Sequence, residues 1–270
     1  MIDEGAIWLI GCGNMGGAML RGWLADGIDA ARITVIDPHL KTVPDGVRLL
    51  SHCPTGEAPP AMALLAVKPQ SFRDVATAIA PALGDATLLI SILAGIEVAT
   101  LRKYLVTPRG VIRVMPNMPA AIGKGITILY ADAASHADAA RAANLMAPLG
   151  SVEWITDERQ FDAVTALSGS GPAFVFRFID ALAQAGAALG LPTDQALRLA
   201  LATVEGSAAL AGQSAETPSQ LAERVASPNG TTRAGLDVLD EGDTFSNRVG
   251  ATLAAAAHRS AELAASARDE

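Results

Sequence analysis

The stretch Ala6 to Leu20, AIWLIGCGNMGGAML, constrains the fold of this chain more than any other. An apolar run from Ala6 to Ile10 stops at Gly11, Cys12, Gly13, Asn14, Met15 and Gly16. From Met15 to Ala25 the pattern predicts a helix, with Met19, Leu20, Trp23 and Leu24 forming its apolar stripe. Strand, glycine turn and helix in this order open a dinucleotide-binding βαβ unit. In that reading Gly11 makes the tight turn, Gly13 lets the backbone approach a pyrophosphate, and Gly16 packs the helix onto the strand. The helix N-terminus then offers N–H donors and its positive dipole end to the phosphates. A second strand, Ile33 to Ile36, ends in Asp37, near the position expected for a ribose-binding carboxylate.

Downstream, the polar stretch Pro38 to Pro60 reads mostly as loop with one short element. Buried strands are expected at Ala61 to Val67, Thr87 to Leu93 and Val111 to Met115, and closing strands at Ile126 to Tyr130 and Val152 to Ile155. Helices are expected through Phe72, Val75 and Ile79, at Glu97 to Leu105 and around Ala137 to Ala147. This alternation predicts an α/β N-terminal domain with a Rossmann-type doubly wound parallel sheet, residues 1–157. The turns Gly11 to Gly16, Val67-Lys68-Pro69-Gln70, Leu93-Ala94-Gly95 and Pro116 to Pro119 all follow strands, so they should share one ligand-binding rim.

After Asp157 no strand pattern appears, and residues 158–270 read as an all-α C-terminal domain rich in Ala. Around Phe174 to Leu189 and Leu197 to Leu210 the helices are apolar on more than one face, which predicts a subunit interface. Two turns there look functional: Leu167 to Ala173, LSGSGPA, and Ser227 to Thr232, SPNGTT. The second would present backbone N–H groups and hydroxyls at a helix start, an anion site in form.

Composition narrows the classes. No apolar run reaches the roughly 20 residues of a membrane span, and the acidic N-terminus is unlike a signal peptide. Two cysteines, Cys12 and Cys53, make neither a disulfide framework nor a metal cluster, so no metal is expected and the cytoplasm is the natural compartment. A net charge of −8 argues against a nucleic-acid partner, although local donors can still bind an anionic substrate.

The blocks GCGNMG, VKPQ (Val67 to Gln70), SILAGI (Ser91 to Ile96), RVMPNMPA (Arg113 to Ala120), ALSGSGPAF (Ala166 to Phe174) and VASPNGTTRAGL (Val225 to Leu236) together resemble pyrroline-5-carboxylate reductases, in that family's order and across nearly the whole chain. One departure is Asn229, where the family usually has a second glycine; Asn tolerates a left-handed backbone, so the turn should survive. The resemblance implies hydride transfer from NADPH or NADH to the cyclic imine 1-pyrroline-5-carboxylate, giving L-proline. It implies that Gly11 to Gly16 and Val67 to Gln70 hold the cofactor, with Leu93, Ala94 and Gly95 near the nicotinamide. It further implies that Ser227, Asn229, Gly230, Thr231 and Thr232 hold the substrate, with Thr232 beside the ring nitrogen as the catalytic position. A homodimer through the helical domain is implied, and a decamer is a known further assembly of the family. On the cofactor the residues disagree: Asp37 favours free ribose hydroxyls, whereas His39 and Lys41 can pair with a 2′-phosphate, so use of both nucleotides is expected.

Other readings are a 3-hydroxy acid dehydrogenase or imine reductase, and a non-catalytic NAD(P)-binding sensor. The dehydrogenase family places a lysine in its helical domain, but the lysines here are Lys41, Lys68, Lys103 and Lys124, all before it. A sensor would have no use for an anion-binding turn in the second domain.

Overall fold

The computed structural model describes residues 5–132 and 134–269. They divide into two compact units, one running up to residue 169 and taken up again from residue 256, the other residues 170–255.

The first unit begins with β1 (Ile7–Ile10), the glycine turn, and α1 (Asn14–Ala25). It continues through β2 (Ile33–Ile36), β3 (Arg48–Leu50), β4 (Met62–Leu65), α2 (Phe72–Ile79), β5 (Leu88–Ser91), α3 (Val98–Tyr104), β6 (Gly110–Met115), β7 (Gly125–Asp132), α4 (His136–Met146), β8 (Gly150–Trp154) and the short α5 (Phe161–Val164). One sheet of eight strands results, in the order β3-β2-β1-β4-β5-β6-β7-β8. β1 and β4 are neighbours in register, Ile7 opposite Met62 and Ile10 opposite Leu65, although β2 and β3 lie between them in the chain. The strand order therefore reverses at β1/β4, and ligands of such sheets bind beyond the carboxyl ends of the strands there.

The two faces follow from the period of the strands. Ile7, Leu9, Val35, Leu64 and Ile90 point one way and pack with Met19, Trp23, Leu145 and Met146 of α1 and α4. Trp8, Ile10, Ile36, Leu65 and Leu89 point the other way, onto Phe72, Ile79 and Leu101 of α2 and α3. Strands buried on both faces read as continuous apolar runs, which is why they were legible. The Trp23 indole N–H, fully enclosed, donates to the Leu145 carbonyl at 2.8 Å.

Two strands depart from the expected parallel sheet, β7 and β8, since β8 pairs parallel to β7 and shares its direction. β7 runs antiparallel to β6, Val114 opposite Leu129. The link from Pro116 to Lys124 is a tight turn, too short for the crossover that parallel pairing needs. The polar stretch after Asp37 contributes only the edge strand β3.

The second unit begins with α6 (Gly171–Ala188) and α7 (Thr193–Gln213), packed together across small residues, Ala183 from one and Ala196 and Ala200 from the other. It continues with α8 (Pro218–Val225), α9 (Thr231–Asp240) and the first part of α10 (Thr244–Asp269). Thr217 and Gln220 close a capping box at the start of α8. The end of α10 belongs to the first unit: Ser260 Oγ donates to Asp162 at 2.7 Å, and Arg268 pairs with Glu97. The sequence boundary at 157/158 thus differs from the compact units. Phe161 and Ala166 are buried in the first unit, and the Arg113 guanidinium lies 4.0 Å from the Phe161 ring centroid.

Candidate functional site

At the end of β1 each glycine meets a different demand. Gly11 has φ +86°, and a Cβ there would stand 2.8 Å from both the Ala66 carbonyl oxygen and Val67 Cγ1. A Cβ on Gly16 would stand 2.7 Å from the Gly11 oxygen. Gly13 is the opposite case, with nothing within 4 Å of that position. Space kept clear beside Gly13, at the N-cap of α1, is what a phosphate group needs to approach backbone. No side chain caps α1 and no acidic residue occupies its first turn, so its N-terminus can serve an anion.

Beside this turn lies a cavity of about 660 Å³, lined by Cys12 to Met15 and Arg21 on one side and by Leu40, Thr42, Val43 and Pro44 on the other. Asp37 is tied to the turn: its Oδ2 accepts from the Cys12 N–H at 2.8 Å and its Oδ1 from the His39 N–H at 2.9 Å. Burial pushes the Cys12 thiol above its usual range, the Asp37 carboxylate pushes it further, and Arg21 partly opposes both. Cys12 is therefore a neutral thiol at pH 7 and no nucleophile.

The other turns follow β4, β5 and β6, which run parallel to β1, so they lie on the same rim. Lys68 and Gln70 are exposed, and Pro69 starts a tight turn closed by the Ser71 N–H on the Lys68 carbonyl at 2.9 Å. Leu93 turns its side chain into the core, leaving only its backbone for a ligand, whereas Ala94 is exposed. Gly95 has φ +73°, and a Cβ there would stand 3.5 Å from the backbone of Leu263 and Ala264.

Two residues near this rim have long-range partners that no sequence pattern reports. Asn117 is buried; its Nδ2 donates to the Ser168 carbonyl at 3.1 Å and its Oδ1 accepts from the Ile126 N–H at 3.0 Å. It fastens the PNMP turn to the π-helical stretch Thr165–Gly169, inside the ALSGSGPAF block. Such wide turns occur often at functional sites. Glu158 accepts from buried Arg113 at 2.6 Å and from the Val98 N–H at 2.8 Å, which caps α3. Both motifs were visible in the sequence; neither partner was.

In the second unit Ser227 to Thr232 form the turn that opens α9. Asn229 adopts φ +58°, the left-handed region that its side chain tolerates. Gly230 is the N-cap, its N–H donating to the Ser227 carbonyl at 3.0 Å, and a Cβ there would collide with Ser227 Oγ. No side chain caps α9, and Thr231 is exposed while Thr232 is half-buried. Arg233 is engaged by Glu223, so backbone donors and hydroxyls, not a free cation, define the site. His258 is exposed, 3.4 Å from Glu262. Among the described residues no group of three or more His, Cys, Asp or Glu is placed to hold a metal.

A family model described as pyrroline-5-carboxylate reductase dimerisation matches residues 158–263, and one described as coenzyme F420-dependent NADP oxidoreductase matches residues 6–95. The pyrroline-5-carboxylate reductase of Pseudomonas aeruginosa is 41% identical over 264 residues, covering 96% of each chain. The chain belongs to the pyrroline-5-carboxylate reductase family. The reductase of Pisum sativum is 37% identical over 267 residues, covering 97% of each chain. Among solved structures, the Coxiella burnetii pyrroline-5-carboxylate reductase superposes with TM-score 0.90 at 31% identity, covering 97% of this chain and 99% of that one. The Plasmodium falciparum pyrroline carboxylate reductase, solved with NADP bound, gives TM-score 0.86 at 28% identity, covering 98% and 100%. As a pyrroline-5-carboxylate reductase family member, the chain is an oxidoreductase with an NAD(P)-binding domain, and its dimerisation region makes it a homo-oligomer. No helix among the described residues is long and apolar enough to cross a membrane.

Proposed function

We propose that this protein is a pyrroline-5-carboxylate reductase that reduces 1-pyrroline-5-carboxylate to L-proline, the last step of proline biosynthesis, with NADPH or NADH. The observation that carries the reading is the open cradle at Gly13, in a chain 41% identical over 96% of its length to such a reductase. Gly11 to Gly16 and the start of α1 hold the pyrophosphate, while Asp37 fixes the turn and lies at the ribose position. Val67 to Gln70 and the backbone of Leu93 to Gly95 line the remaining length of the nucleotide. A bound dihydronicotinamide supplies the hydride that the imine carbon accepts.

The substrate carries its own activation, because a protonated imine is already a strong electrophile. What remains for the protein is orientation, which can supply much of the acceleration. Backbone N–H groups of Gly230, Thr231 and Thr232, at the head of α9, receive the substrate carboxylate, with Ser227 and Asn229 shaping the turn. The Thr232 hydroxyl positions the ring nitrogen: it accepts from the protonated imine and donates to the amine product. The helical region after residue 157 also forms the homodimer, and five such dimers can build a decamer. The cytoplasm is the assigned compartment, and nucleic acid is no partner of an acidic chain.

Oxidation of NAD(P)H by chemically prepared pyrroline carboxylate is the test. Turnover to proline supports the reading. Oxidation of 3-hydroxy acids with NAD(P)⁺ in its place would make the protein a dehydrogenase, and nucleotide binding without any turnover would make it a sensor.

A further inference from the structure

Asp37 alone would select against NADPH, because a carboxylate at the end of β2 repels a ribose 2′-phosphate. Its two oxygens accept the Cys12 and His39 N–H groups, which hold it in place beside the glycine turn. For the phosphate to be accepted, a cation must face the same space. Of the basic side chains on this rim, His39, Lys41, Lys68 and Arg21, only Arg21 lines the 660 Å³ cavity with Gly13, Asn14 and Thr42. Arg21 stands in the second turn of α1, and its side chain folds back toward the helix N-terminus, as long helical side chains do. The guanidinium lies over Gly17: a Cβ there would be in ordinary contact with Arg21 Nη1 at 3.4 Å and with Cys12 Sγ at 3.9 Å. Glutamates and aspartates engage many of this chain's arginines, among them Arg48, Arg109, Arg113 and Arg233. Arg21 is exposed and has no such partner among the described residues. An unpaired guanidinium in the wall of a nucleotide cavity matches the fork of donors that a phosphate accepts.

We propose that Arg21 is the specificity-determining residue through which this chain takes the 2′-phosphate of NADPH despite Asp37, the phosphate lying beside Thr42. The proposal rests on the cofactor reading given above. It moves the deciding cation from the loop after β2, where His39 and Lys41 stand, to the helix before it.

Calorimetric titration of the intact protein with NADPH, NADH, 2′,5′-ADP and 5′-AMP tests it without turnover. Arg21→Met should raise the Kd for NADPH and 2′,5′-ADP about ten- to hundred-fold, the loss of charge-assisted bonds to one phosphate. The Kd for NADH should stay within about two-fold on the same argument, which also shows that the variant is folded. Arg21→Lys should recover part of the loss, and Lys41→Met should leave the NADPH to NADH ratio where it was. Equal weakening of NADPH and NADH, no change at all, or a selective loss in Lys41→Met would overturn the assignment of Arg21 while leaving the cofactor reading intact. Wild-type protein that binds none of the four ligands would overturn the cofactor reading, and this proposal with it.

Discussion

The two units of this chain bury their apolar residues in opposite ways. In the first, both faces of the sheet are covered by helices, and Ile7, Leu9, Leu64, Leu88 and Ile112 are completely enclosed. In the second, among the described residues, the buried hydrophobic side chains are Ala183, Ala196, Ala200, Leu221 and Ala226, four of them alanines. Its large side chains lie outside: Phe176 is 53% exposed, Phe178 48%, and Val238 73%. Helix propensity and one small-residue seam between α6 and α7 can shape such a unit but supply little burial to hold it. The first unit carries its stability within one chain, and the second leaves its large apolar side chains uncovered. A match to a dimerisation family over residues 158–263 fits that exposure.

The sharpest way to break this contrast is to charge the exposed aromatic residues of α6, which lie on opposite sides of that helix. Phe176→Glu with Phe178→Glu should turn the oligomer into a weakly helical monomer in sedimentation velocity and circular dichroism. Each ring lost from an interface forfeits about 1.5–3 kcal/mol per protomer before the cost of burying the new charge. The core of the first unit should be untouched. An oligomer unchanged at micromolar concentration would put the interface elsewhere.

Next in size comes a change inside the first unit. Arg113 is buried on β6, pairs with Glu158 at 2.6 Å, and stacks on Phe161. Arg113→Met leaves the Glu158 carboxylate without its cation and should cost about 3–5 kcal/mol in urea unfolding. The capping bond to Val98 N–H remains, so α3 should persist. A loss below about 1 kcal/mol would mean that the pair is effectively solvated.

Thr232→Val probes the function of the second unit without touching its shape. Losing one hydrogen bond to a charged group should lower kcat/KM by about 1.5–3 kcal/mol, roughly ten- to hundred-fold, with nucleotide binding unchanged. The parent rate in the valine variant would reduce Thr232 to a helix-start residue and move the substrate site away from α9.

Legibility follows the same division. Strands of the first unit were readable because burial on both faces makes them continuous apolar runs, and the glycine turn because each glycine answers a local steric demand. The left-handed backbone at Asn229 was likewise a local matter. What the chain concealed depends on partners far away in sequence. The tie from Asp37 to Cys12 spans 25 positions, that from Asn117 to Ser168 spans 51, and no periodicity reports either. The reversed direction of β7 was hidden for another reason: an antiparallel strand buried on both faces has the same apolar pattern as a parallel one. Apolar excess in the helices signalled an interface only because the unit has too little interior of its own.

The smallest predicted effect concerns the segment that crosses the division. Residues 256–269 belong with the first unit although they complete a helix begun in the second. Two kinds of contact hold them there. Ala264 is buried, Ala267 packs on the cluster of α2 and α3, and the Leu263–Ala264 backbone lies against Gly95. The polar contacts are Ser260 on Asp162 and the pair of Arg268 with Glu97 at 3.2 Å, in which the Arg268 side chain is 54% exposed. An ion pair this open to solvent contributes about 1 kcal/mol at most, because water and salt screen it and both long side chains lose freedom in forming it. Arg268→Ala should therefore shift the urea midpoint only slightly, and less still at 0.5 M salt, leaving the segment in place. Ala264→Glu, which forces a charge into the buried contact, should cost more and loosen the segment to proteolysis. If Arg268→Ala proved the more damaging of the two, the segment would be held by charge, and the first unit would share the second's dependence on contacts outside its own core.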